Sequence, residues 1–163
     1  MSQKIEVRYT QIGLTGVYHK TIVYTDSIGD TYVAEADGRW AAGAAAMGSI
    51  IARLTPPVVA IPSTATAYAV GGTIYATTGY KNLSEDTDHR ELIAEESDLS
   101  SEWSAIVSAM SSLTAGNYIY LITAQNSNTA VDYALDAAGL SAPQEDDFEI
   151  GEYWSPGSDG EFN

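Results

Sequence analysis

Residues 118–140 read YIYLITAQNSNTAVDYALDAAGL, and this stretch decides the fold. Its first six residues, 118–123, are mostly aromatic and β-branched, which is typical of a buried strand. A polar turn over 125–128 follows, and a short helix is predicted over 129–138, closed by Gly139. The inward-facing positions of this helix are Val131, Leu135 and Ala138.

The first third of the chain predicts more strands. Ile5, Val7 and Tyr9 alternate with polar residues, which indicates a half-buried strand. Residues 17–25 and 31–35 are rich in β-branched and aromatic side chains and flank turn residues, so they predict a hairpin with a loop of about five residues. Turn residues occur at Asp37-Gly38 and Gly71-Gly72, and further strands are predicted over 58–61, 64–70 and 73–77.

Helical patterns concentrate in the second half. Residues 85–96 are highly charged and predict a helix, and residues 98–101 offer N-cap candidates for another. We expect that second helix to end at Gly116. The pattern of residues 39–54 does not decide between a helix and irregular structure. The apolar positions of the helix before Gly116 are Trp103, Ile106, Val107, Met110 and Leu113, and we expect the first four to be buried against a sheet that contains strand 118–123.

These elements together predict an α+β fold. We expect an antiparallel sheet of five to six strands packed with two to three helices. The length of 163 residues favours a single domain over 1–140, followed by an acidic irregular tail over 141–163 that packs on it.

The charge distribution bears on partners. The net charge is −15; all seven Lys and Arg lie within residues 1–90, and fourteen Asp and Glu follow from Glu91 onward. Such a field repels phosphate backbones, so nucleic acid is not an expected partner. It would attract a basic protein or cations, while the alternative interpretation is that the charge serves solubility alone.

Composition also excludes several classes of site. The chain has no cysteine, which rules out disulfides, a thiol nucleophile and thiolate metal ligands. With only two histidines we expect no metal and no cofactor. No membrane span is expected, and the first residues lack the apolar stretch of a secretory signal. Cytoplasmic residence and export without a cleaved N-terminal signal both remain open as expectations.

One constellation favours catalysis. Ser127 lies at the start of the late helix, where unpaired N–H groups and the helix dipole stabilise negative charge. His19 lies on an early strand, and histidine is the usual base that activates serine. The alternative is that Asn126, Ser127, Asn128 and Thr129 are ordinary N-cap residues and that His19 is structural or exposed on the surface.

Residues 125–131, Gln-Asn-Ser-Asn-Thr-Ala-Val, resemble the signature of circularly permuted papain-like (NlpC/P60-related) hydrolases. Residues 17–24 resemble the strand that carries the family's histidine. The chain also resembles uncharacterised bacterial proteins that have such a histidine strand, a similar helix start and a Pro-Gly-Ser tail, which here would be Pro156-Gly157-Ser158. The resemblance implies a papain-like core and hydrolysis of an amide or ester bond, as in a bacterial secreted effector. Ser127 stands where the family has cysteine.

The resemblance implies that Ser127 is the nucleophile, that His19 is the base, and that Asn126 and Asn128 belong to the site. Glu35, Asp37 and Asn128 are the candidates to orient His19. Backbone N–H groups at the helix start would bind the oxyanion and should be free, with the serine Oγ pointing away from the core.

Two other functions stay open. The chain is alternatively a non-catalytic binding protein of the inhibitor or immunity type, which docks a basic partner on its acidic half, or a structural or adhesive module. A short distance between His19 and Ser127 favours the enzyme. The second histidine, His89, is interpreted as part of a solvated helix start, with a metal site as the alternative.

Overall fold

A computed structural model of the chain describes residues 1–11, 18–40, 69–80, 89–116, 118–121 and 126–143. Within this part of the chain there are six strands and two helices. The strands are β1 (Gln3–Gln11), β2 (Tyr18–Thr25), β3 (Thr31–Trp40), β4 (Ala69–Tyr80), β5 (His89–Glu96) and β6 (Ile119–Leu121), and the helices are α1 (Ser100–Gly116) and α2 (Ser127–Ala137).

The strands form one antiparallel sheet in the order β5-β1-β2-β3-β4-β6. The predicted hairpin is confirmed, because β2 and β3 are joined by the five residues from Asp26 to Asp30. Asp26 Oδ1 accepts hydrogen bonds from the N–H groups of Ile28 (3.0 Å) and Asp30 (2.9 Å). Gly29 adopts a φ of 95°, which a residue with a side chain rarely adopts.

Both helices contribute to one hydrophobic core with the sheet. Alternate residues of β1 and β2 face this core, so the period-two pattern of β1 is confirmed. The α+β class predicted from the sequence is therefore correct. The buried strand residues are Ile5, Val7, Tyr9, Ile22, Tyr24, Ala34, Ala36 and Ile74, and the buried helix residues are Ile106, Ala109, Met110, Leu113, Ala130, Val131, Ala134 and Leu135.

Helix α1 begins and ends where the sequence indicates. The Asp98 carboxylate accepts a hydrogen bond from the N–H of Ser100 (3.0 Å), and Gly116 is the last residue. Ile106 and Met110 are buried, as predicted. Trp103 and Val107 were also expected to be buried but are only half-buried, and the Trp103 ring stacks on Tyr24 of β2 with centroids 5.3 Å apart.

The helix predicted over 85–96 is wrong for every residue of it that the structure describes. His89–Glu96 is strand β5, which lies at one end of the described sheet and pairs with β1 from Gln3↔Glu96 to Tyr9↔His89. Charge-rich composition favoured a helix locally, but pairing with a central strand overrides local propensity. Residues 85–88 lie outside the described residues.

The turns predicted within β3 and β4 are also wrong. Asp37-Gly38 lies inside β3 and Gly71-Gly72 inside β4, and these strands pair continuously from Tyr32↔Tyr80 to Trp40↔Gly72. A long ladder supplies enough backbone hydrogen bonds to hold weak strand formers. The predictions for residues 41–68 lie outside the described part of the chain.

The sheet opens between two of its central strands. β2 pairs with β3 from Thr25↔Thr31 only as far as Ile22↔Ala34. Beyond that point β2 continues along β1 to Gln11↔Tyr18, while β3 continues along β4. The first turn of α2 lies at this opening, where the side chains of Ser127 and Asn128 bond to residues of β2.

The end of the described chain packs on the domain. Leu140 and Ala142 lie half-buried against the core. Residues 144–163, with most of the predicted acidic tail, lie outside the described residues. Within the described chain, neither helix combines the length and the apolar character that a membrane crossing requires.

Candidate active site

His19 and Ser127 are in contact although 108 residues separate them in the chain. The distance between His19 Nδ1 and Ser127 Oγ is 3.2 Å, within hydrogen-bond range. Ser127 is 6% exposed and His19 is half-buried. For the serine hydroxyl to donate, the neutral imidazole must carry its proton on Nε2. The structure thus brings the predicted pair together in a geometry that permits proton transfer.

Ser127 is the first residue of α2, and the helix cap is its neighbour Asn126. The Asn126 side chain accepts hydrogen bonds from the N–H groups of Asn128 (2.8 Å) and Thr129 (3.4 Å), and Thr129 Oγ1 accepts one from the N–H of Asn126 (3.2 Å). This reciprocal capping box leaves the Ser127 side chain out of the cap. The N-cap interpretation therefore applies to Asn126 and not to Ser127.

The capping box also changes the expected oxyanion donors. We predicted free N–H groups beside the serine, but those of Asn128 and Thr129 already donate to Asn126. The expectation is wrong for these two residues, because a well-formed cap satisfies its own first turn. The N–H of Ser127 is the first-turn donor that the capping interactions leave.

Asn128 bonds to the edge of β2. Its Oδ1 accepts a hydrogen bond from the N–H of Lys20 (2.9 Å), and its Nδ2 donates to the carbonyl of Tyr18 (3.1 Å). These backbone groups flank His19 on both sides. Asn128 is 3% exposed. The sequence marked Asn128 as a site residue and as a candidate to orient His19, and these two side-chain bonds reach the backbone around the histidine.

A buried ion pair that the sequence analysis missed lies one turn further along α2. Lys20 is fully buried, and its Nζ lies 3.1 Å from both carboxylate oxygens of Asp132. A signal was present in the sequence, because Lys20 alternates with Ile22 and Tyr24 and so must face the core. A lysine at such a position needs an anionic partner.

The other candidates to orient His19 lie on β3. Glu35 Oε2 is 3.5 Å from the Oγ1 of Thr21, which lies two residues after His19 on β2, and Asp37 is exposed. The structure thus places Glu35 on the neighbouring strand near the His19 end of β2.

His89 belongs to β5 and not to a helix start. Its ring lies 5.5 Å from that of Tyr9, centroid to centroid, in a tilted arrangement. In the part of the chain that the structure describes, no three His, Asp or Glu side chains cluster as metal ligands would. The second histidine therefore lies against an aromatic residue of β1.

Comparison of the chain with protein-family models, with curated proteins and with solved structures gave no match.

Proposed function

We propose that this chain is a hydrolase of an amide or ester bond, with Ser127 as nucleophile and His19 as general base. The observation that carries the proposal is the 3.2 Å approach of His19 Nδ1 to Ser127 Oγ at the start of a helix. A nucleophile within hydrogen-bond reach of a base is the basic requirement of covalent hydrolysis. The papain-like resemblance of residues 17–24 and 125–131 agrees with this assignment.

The reaction uses one base in two steps. His19 Nδ1 takes the hydroxyl proton as Ser127 Oγ attacks the carbonyl carbon, and the tetrahedral intermediate carries the negative charge on its oxygen. The imidazolium then protonates the leaving nitrogen or oxygen as its bond to carbon breaks. In the second step His19 activates water, which releases the acyl group and returns the proton to Ser127.

The helix start supplies the electrostatic part of catalysis. The N–H of Ser127 can donate to the developing oxyanion, since the cap formed by Asn126 does not use it. The positive end of the α2 dipole acts in the same direction. Substrate would reach Ser127 past the half-buried His19, because the serine itself is nearly covered.

Turnover of an activated ester tests the proposal. The wild-type chain should hydrolyse a p-nitrophenyl ester with a burst of one nitrophenol per chain, because the acyl-enzyme accumulates when deacylation is slow. Ser127→Ala and His19→Ala should each abolish both burst and turnover, since a catalytic pair acts as a unit. Turnover that persists in both variants would remove the pair from the reaction.

The second candidate is an acidic binding protein that docks a basic partner. Exposed carboxylates favour it, because the sequence contains no Lys or Arg after Arg90. The exposed acidic residues in this part of the described chain include Glu95, Glu96, Asp98 and Asp136. Binding through these groups should weaken strongly toward 1 M salt, where screening acts over about 3 Å. An affinity for a basic protein that is indifferent to salt would count against this candidate.

A further inference from the structure

We propose that Asn128 is a positioning residue, which sets the distance between His19 and Ser127 by bonding the backbone on both sides of the histidine. This inference rests on the proposed function, and it assigns to Asn128 a role separate from contact with substrate. The carrying observation is the pair of hydrogen bonds from one carboxamide, 2.9 Å to the N–H of Lys20 and 3.1 Å to the carbonyl of Tyr18.

The two backbone groups lie on the edge of β2 that faces β3. β1 pairs with the other edge of β2 as far as Gln11↔Tyr18, so Asn128 reaches the Lys20 N–H and the Tyr18 carbonyl from the side of β3. Within the described residues, the pairing of β2 with β3 stops at Ile22↔Ala34. Asn128 therefore takes the place of a neighbouring strand, since its carboxamide offers one donor and one acceptor, as a backbone amide does.

This arrangement fixes the strand and the helix start in one frame. Ser127 precedes Asn128 directly, so the bonds of Asn128 hold the serine beside the peptide that carries His19. The bond to the Lys20 N–H is buried and the bond to the Tyr18 carbonyl is partly buried, and because Asn128 is only 3% exposed, water competes little with either. Loss of the carboxamide would leave the Lys20 N–H and the Tyr18 carbonyl without this partner and would let the helix start shift from the strand.

A thiol at position 127 reports the His19 contact without any substrate. The chain has no cysteine, so Ser127→Cys introduces the only thiol in the sequence. A cysteine at a helix N-terminus beside histidine has a pKa of roughly 3.5–7.5, against about 8.5 for a free thiol. The rate of alkylation by iodoacetamide as a function of pH gives this pKa directly, because the thiolate is the reacting form.

The experiment compares four chains. Ser127→Cys should show a depressed thiol pKa, and adding His19→Ala should raise it by about one unit or more. Adding Asn128→Ala should raise it by a similar amount with His19 still present. Adding Thr129→Ala is the matched control, since Thr129 takes part in the cap of the same helix, and it should leave the pKa unchanged. His19, Glu35 and the Lys20–Asp132 pair stay intact in the Asn128 and Thr129 variants.

The outcomes separate this inference from the proposed function. A thiol pKa unaffected by His19→Ala would overturn both. If His19→Ala shifts the pKa but Asn128→Ala does not, only the positioning role fails. An equal shift in Thr129→Ala would also overturn it, because general loosening of the helix start would then suffice. Should Asn128→Ala fail to fold, Asn128→Ser retains a small polar group, and an unchanged pKa in that variant would contradict the inference equally.

Discussion

Lys20 Nζ lies 3.1 Å from each carboxylate oxygen of Asp132, and the lysine side chain is only 1% exposed. This pair joins β2 to α2 from the core side, whereas Asn128 joins them at the strand edge. His19 and Lys20 are consecutive and point to opposite faces of β2. The first two turns of α2 therefore contact one strand segment from two directions, which fixes the helix beside the histidine.

The ion pair gives a sharp stability prediction. Asp132→Ala should destabilise the fold by about 3–5 kcal/mol, because it leaves a buried ammonium group without its counter-charge. Replacing both partners, as in Lys20→Met with Asp132→Leu, should restore most of that loss. Urea denaturation measures both values. A double variant as unstable as Asp132→Ala would show that the pair itself, and not the uncompensated charge, decides the stability.

Ser127 and Asn126 should differ in what they contribute to stability. Asn126→Ala removes the helix cap and should cost about 0.5–2 kcal/mol. Ser127→Ala removes one hydrogen bond to His19 and should cost about 0.5–1.5 kcal/mol, with the capping box intact. Thermal melts followed by circular dichroism should show reduced α2 stability in the first variant. A larger loss in Ser127→Ala would mean that the serine is mainly structural.

Trp103 should matter despite its partial exposure. Its ring stacks on Tyr24 and lies 6.4 Å, centroid to centroid, from Tyr32, so it closes the core near the start of α1. Trp103→Ala should cost about 3 kcal/mol, the low end for a large aromatic residue, because part of the ring already meets solvent. A loss below about 1 kcal/mol in a denaturant melt would remove Trp103 from the core.

Asp98 should titrate below its ordinary value. Hydrogen bonds from the side chain and the backbone N–H of Ser100 stabilise the carboxylate and lower the pKa of Asp98 from 3.8. A group with a lowered folded pKa stabilises the fold above its unfolded pKa, and this contribution disappears as pH falls through the folded pKa. Carbonyl NMR of Asp98 measures the titration. Ser100→Ala should raise the pKa toward 3.8; an unchanged pKa would contradict the assigned cause.

Some of the fold follows from local sequence alone. The β2–β3 hairpin is predictable because turn residues at 26–30 separate two β-branched runs, and helix α1 follows from apolar spacing that ends at Gly116. Strand β5 is not predictable in this way, because His89–Glu96 is charged on both sides and becomes a strand only by pairing with β1. The turn predicted at Gly71-Gly72 is wrong for the same reason, because pairing with β3 keeps this part of β4 extended.

The candidate site divides along similar lines. Ser127 and His19 were predictable as chemical types in suitable positions, a hydroxyl at a helix start and an imidazole on a strand. Their contact was not, since it depends on the opening of the sheet between β2 and β3. The hydrogen bonds of Asn128 were not predictable either. Its carboxamide is evident from the sequence, but the backbone groups that it bonds belong to β2, at least 108 residues earlier in the chain.

Covalent labelling of Ser127 by a fluorophosphonate is the most direct test of the central claim, because this reagent reacts with serines that a neighbouring base activates. Serine Oγ displaces fluoride from phosphorus and keeps the phosphonyl group, so intact mass reports one adduct and peptide mapping locates it. We predict a single adduct on Ser127, absent from Ser127→Ala and strongly reduced in His19→Ala. A folded wild-type chain that takes up no adduct, or one labelled equally well without His19, would contradict the account.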